Sequence, residues 1–100
     1  MDIVTATQGF SAIGSEPRME VLQTLVKAGE NGLLVGDIQQ RTGIPASTLA
    51  HHLKFLASAG LVRADKKGRT ITNRANFDHL KDLAAFILEE CCADVETTND

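Results

Sequence analysis

The chain has 100 residues, 43% of them hydrophobic, which sets one domain with a thin core that a second subunit would help to complete. Its only aromatics are four phenylalanines, which argues against a stacking platform for single-stranded nucleic acid, and its two cysteines are neighbours, which argues against a disulfide framework. The net charge of −3 hides a segregation: Arg41, Lys54, Arg63, Lys66, Lys67, Arg69 and Arg74 against Asp65 leave residues 41–74 at +6, and residues 75–100 are at −6.

The opening MDIVTATQGF has an acid where a secretory signal would have basic residues, and no apolar run reaches membrane-spanning length. A cytoplasmic protein with no membrane partner is expected. Ile3, Ala6, Phe10 and Ile13 recur at helical spacing and predict a first helix over residues 3–13, weakened by Gly9. Ser15 is placed to cap a second helix, Pro17 is tolerated in its first turn, and Met19, Leu22, Leu25 and Val26 form its apolar stripe. Gly29 and Gly32 bracket the turn that ends it.

A short third helix is predicted from about Val35 to Arg41, with Ile38 inward and Gly43 as its stop. The fourth runs from about Pro45 to Ala59 and ends at Gly60. At 100° per residue Leu49, Leu53 and Leu56 point one way, and Ser47, His51, Lys54 and Ser58 the other, with Thr48 at the edge of the second face. Short polar and basic side chains on one face suit a DNA major groove. Leu61-Val62-Arg63 and Thr70-Ile71-Thr72 read as strands around a basic turn, Lys66-Lys67-Gly68-Arg69, suited to phosphate contact.

The last helix is predicted to start at the Asn76 cap, with Leu80, Leu83, Ala84, Ile87, Leu88 and Cys91 in one stripe. His51 and His52 point about 100° apart and cannot easily chelate one metal; His52 lies beside the core stripe, and His79 reads as a surface or cap residue. The expected architecture is mainly α with a small β-hairpin, in the order α-α-α-α-β-β-α: a winged helix-turn-helix over residues 1–93 and an acidic flexible tail over 94–100. No Cys-x-x-Cys, catalytic histidine pairing or glycine-rich phosphate loop marks an enzyme.

The stretches FSAIGSEPRMEVLQTLVKAG, IPASTLAHHLKFLASAGLV and GRTITNRANF resemble the second helix, recognition helix and wing exit of ArsR-type winged-helix repressors. The resemblance implies a homodimer joined through the first and last helices, with Phe10, Leu83, Phe86 and Ile87 in the contact. Its partner would be double-stranded operator DNA, met by Ser47, Thr48, His51, Lys54, Ser58, Lys66, Lys67 and Arg69. Members sense metals, metalloids or redox change at sites that differ between branches. One site is a Cys-x-Cys early in the third helix, where this chain has Leu34 and Gly36. Another is an Asp/His zinc site on the last helix, where Asp78 is followed by Leu80.

A third branch carries a vicinal cysteine pair at the end of the last helix, and FDHLKDLAAFILEECC resembles it. The branch commonly adds a third cysteine, and this chain continues with ADVETTND. The expectation is that no cofactor is required, and that Cys91 and Cys92 are the candidate site for arsenic(III), another thiophilic ligand or oxidation. One competing reading leaves Cys91 as a buried core residue and Cys92 incidental, and another is a protein-interaction module that keeps the winged helix without binding DNA.

Overall fold

A computed structural model of the chain describes residues 1–95. The described residues form five α-helices, α1 (Ile3–Ile13), α2 (Glu16–Ala28), α3 (Val35–Thr42), α4 (Ala46–Ser58) and α5 (Phe77–Phe86), and an antiparallel hairpin of β1 (Val62–Lys67) and β2 (Thr70–Ala75). The order is that of a winged helix-turn-helix, as expected. The acidic tail expected over 94–100 falls outside the described residues beyond position 95.

Local chemistry places the helix ends. Asp2 caps α1: its carboxylate accepts from the Thr5 N–H at 2.7 Å, and that bond holds the carboxyl below its ordinary range. Ser15 caps α2 as predicted, accepting from the Arg18 N–H at 3.5 Å. Asn76 does double service: Oδ1 accepts from the His79 N–H at 3.4 Å and Nδ2 donates to the Gly60 carbonyl at 3.0 Å. This ties the start of α5 to the end of α4. Gly43, in the left-handed conformation at φ 74°, closes α3 and lets the chain turn into α4.

The core is one cluster centred on Val21, Leu25, Ile38, Leu49, Leu56 and Leu61, all inaccessible to solvent. In α2 the buried residues are Val21, Leu22 and Leu25. Met19 is half-buried and Val26 is 41% exposed, so the stripe is rotated from the predicted one. In α1 the inward residues are Ala6, Gly9 and Ala12. Ile3, expected inward, is 67% exposed. Small residues win this face because α1 lies close to α5: a Cβ on Gly9 would stand 2.9 Å from Leu83 Cδ2.

Two features depart from the predicted elements. The hairpin strands are twice as long as expected and are joined by two residues, Gly68 and Arg69. Gly68 has φ 60° and Arg69 does not have positive φ, as a type II′ turn requires. Lys66 and Lys67 therefore lie on β1, opposite Ile71 and Thr70, and not in the turn. Leu33 adds a one-residue third rung, exchanging two 2.8 Å backbone bonds with Asn73.

The second departure is in α5, which ends at Phe86 and not beyond Cys91. Residues 87–94 form successive turns with i→i−3 bonds, such as Cys91 N–H to the Leu88 carbonyl at 2.9 Å. Leu83 is the helix's last residue sealed into the body; Ile87 and Leu88 are 69% and 66% exposed. A helix is held mainly by packing of its apolar face, and here the protomer offers nothing further to pack on.

Candidate nucleic-acid interface

The candidate recognition face is built by α4. Leu49, Leu53 and Leu56 are buried, and Ser47, Thr48, His51, Lys54 and Ser58 are exposed. Pro45 sets the entry with φ −60° and ψ 151°, and no side chain caps the helix. Its first backbone N–H groups are thus unclaimed by side chains, beside the Ser47 and Thr48 hydroxyls. Ser58 is the least available of the predicted set, because its hydroxyl already donates to the Lys54 carbonyl at 2.9 Å. His52 is half-buried beside the core, as its place on the wheel predicted, and its Nδ1 has no partner. His79 is half-buried rather than on the surface, with its ring against Gly60.

The wing presents Arg63, Lys66, Lys67 and Arg69, all exposed. Arg74 belongs to the basic segment but is otherwise engaged. Its Nε lies 2.7 Å from Asp65 Oδ2 across the hairpin, and its Nη1 donates to the Glu30 carbonyl at 2.9 Å. The pair cancels the one acid of the wing, and the Glu30 bond fastens β2 to the turn after α2. Arg41 stands apart as well, sharing a hollow with Glu20 and Lys27 on the outer side of α2.

Arg18 had no signal in the periodicity. It extends from the first turn of α2, donates from Nε to the Ala12 carbonyl at 2.6 Å and from Nη2 to the Ser11 carbonyl at 3.2 Å, and lies 4.2 Å over the Phe55 ring. One guanidinium thus satisfies carbonyls at the end of α1 and binds the flank of α4. Only the three-dimensional meeting of α1, α2 and α4 reveals it.

Cys91 and Cys92 are both exposed free thiols, with Sγ atoms 3.3 Å apart and Cys92 at φ 64°. Cys91 therefore does not continue the core stripe. Among the described residues no group of three or more His, Cys, Asp and Glu side chains is gathered as a metal site. Of the residues expected at a subunit contact, Ile87 is exposed, Phe10 and Phe86 are half-buried, and Leu83 is spent inside the protomer against Gly9. No helix among the described residues is long and apolar enough to cross a membrane.

Comparison with known proteins agrees with this geometry. A helix-turn-helix domain family matches residues 13–64. A solved ArsR-like transcriptional regulator from Rhodococcus sp. RHA1 superimposes with a TM-score of 0.76 at 30% identity, covering 91% of this chain and 82% of that one. The HTH-type transcriptional regulator YceK of Bacillus subtilis is 33% identical over 63 residues, 63% of this chain and 62% of its own length. A putative arsenical resistance operon repressor of Halobacterium salinarum is 33% identical over 66 residues, 66% of this chain and 55% of its own length. The chain thus spans less than two thirds of these two relatives. All three carry the names of regulators and none that of an enzyme. The chain belongs to the ArsR-type family of helix-turn-helix transcriptional regulators.

Proposed function

We propose that this protein is a homodimeric repressor that holds double-stranded operator DNA through α4 and the β1–β2 wing. The observation that carries the reading is the polar face of α4. Ser47, Thr48, His51 and Lys54 are exposed there, opposite a fully packed leucine stripe, and the basic wing follows in the chain. The α4 side chains are of the kind that meets base edges in the major groove, and Lys66, Lys67 and Arg69 suit the flanking phosphates. A twofold dimer would set two such helices about one DNA turn apart on a roughly palindromic operator.

The regulatory half of the proposal is release by a thiol-reactive signal, arsenite being the first candidate, at Cys91 and Cys92. The two thiols are exposed, unpaired by disulfide and near enough to act on one atom. Trihydroxyarsenic would form two As–S bonds while two of its oxygens leave as water with the thiol protons. One hydroxyl would remain on arsenic, or be displaced by a thiol of another molecule. Among the relatives, the Halobacterium protein carries an arsenical repressor's name. A second reading, control by oxidation of the pair, rests on the same 3.3 Å contact.

The test is fluorescence anisotropy of the reduced protein on its own upstream DNA, with arsenite titrated into the complex. Release at stoichiometric arsenite, lost in Cys91→Ser/Cys92→Ser, is the expected result. Tight binding that ignores arsenite removes arsenic and leaves the repressor; release by a mild oxidant alone selects the second reading. A parent protein that binds no upstream duplex overturns the repressor itself.

A further inference from the structure

An open hollow of about 770 Å³ lies between α4 and α1, and its α4 wall includes His51, Lys54 and Ser58, three residues of the proposed DNA face. Its α1 wall is Thr7, Gln8 and Ser11, which share one helical face. No acid lines the hollow, and α1 contains no charged residue at all. The exposed apolar residues of α1, Ile3 and Val4, sit in its first turn and do not line it. Arg18 joins the two walls from within: it binds the Ser11 and Ala12 carbonyls on one and the Phe55 ring on the other. The spacing of the walls is thereby built in.

We propose that this hollow seats the phosphate backbone of the DNA strand that borders the groove entered by α4, with Gln8 and Ser11 as contact residues. The inference rests on the DNA reading above and extends it to a helix assigned only to dimerisation. The partner follows from charge and from continuity. Besides the apolar Phe55 and Ala59, the lining carries an ammonium, an imidazole, hydroxyls and an amide, and no carboxylate, so its polar groups complement a polyanion. Serine and glutamine are ordinary phosphate donors, and neutral contacts of this kind set the register of a protein on a duplex. Thr7 and Ser58 contribute less, since their hydroxyls already donate to the Val4 and Lys54 carbonyls at 3.0 and 2.9 Å.

The experiment compares the parent with Gln8→Lys, Ser11→Lys, Gln8→Glu and Ser11→Glu. Affinity for the upstream duplex is measured over a range of salt, and self-association by sedimentation. Gln23→Lys, on the exposed outer side of α2, makes the same change in net charge away from the hollow. The lysine variants are expected to bind more tightly and to steepen the dependence of log affinity on log salt by about one unit each. The glutamate variants are expected to bind about tenfold more weakly. Gln23→Lys is expected to match the parent. Lysine variants with the parent's affinity and slope would overturn the proposal. So would lysine variants that shift the monomer–dimer balance, because the hollow would then be a subunit contact. Failure of the DNA reading is a separate result, visible in the parent alone as no duplex binding at any salt.

Discussion

Gly9 shows how a single residue decides a helix contact. Glycine costs about 1 kcal/mol relative to alanine inside a helix, so Gly9→Ala would ordinarily stabilise α1. Here the added Cβ would stand 2.9 and 3.0 Å from the two Leu83 methyl carbons, and Leu83 is 2% exposed with little room to retreat. We expect Gly9→Ala to be destabilising in the parent and stabilising, by up to about 1 kcal/mol, once Leu83→Ala has opened the space. Thermal or denaturant unfolding of the four proteins measures the coupling. If the two substitutions are additive within about 0.5 kcal/mol, the close approach of α1 and α5 does not limit stability. Arg18 illustrates the same scale from the polar side. It is a cation held by carbonyls and a ring, with no acid among the contacts that place it.

Among the elements, the wing depends most on one turn. Gly68 at φ 60° begins a two-residue connection between strands whose outer residues are nearly all exposed, so the turn has little packing to support it. Gly68→Val puts a β-branched side chain in a conformation it avoids. The expected outcome is faster amide hydrogen exchange along Arg63–Lys67 and Thr70–Thr72, with unchanged protection in α2 and α4. Equal protection in the wing would show that the ladder does not need this turn.

The same exposure explains what the sequence made legible. Helices α3 and α4 were readable almost to the residue, because Ile38 and then Leu49, Leu53 and Leu56 repeat at helical period between glycine and proline signals. β1 is buried only at Val62, so its next five residues carry no alternation from which a strand could be read. The Leu33–Asn73 rung joins positions far apart in the chain and leaves no local trace. α5 is shorter than its pattern for the opposite reason: its apolar period runs on through Ile87, Leu88 and Cys91, but the packing in the protomer stops at Phe86. The polar face of α4 is legible in the sequence, whereas Arg18 is not, because its partners come from two other helices, α1 and α4.

At the scale of the whole molecule, the unfinished period of α5 is an argument about assembly. Ile3 and Val4 on α1 and Ile87 and Leu88 after α5 are 61–69% exposed, aliphatic surface that a second subunit could cover. Fully burying one such side chain is worth about 1.5–3 kcal/mol, so a twofold contact using these residues from both copies can offset the cost of association. The acidic C-terminal quarter and the basic middle also favour a pairing that keeps the former on the side away from DNA. Two recognition helices on one duplex would then bind as a linked pair, with a gain of about 10²–10⁴ over one. Replacing Ile87 and Leu88 by glutamate is expected to leave the protomer's unfolding transition nearly unchanged, because both side chains are largely exposed in it. The variant is expected to sediment as a monomer where the parent is a dimer, and to hold a full palindromic site no more tightly than a half-site. In the parent, helical circular dichroism is expected to rise with protein concentration, as dimer formation supplies the surface on which α5 can continue past Phe86. A variant that remains dimeric, or a parent whose helicity does not change across the monomer–dimer transition, would place the subunit contact on another face.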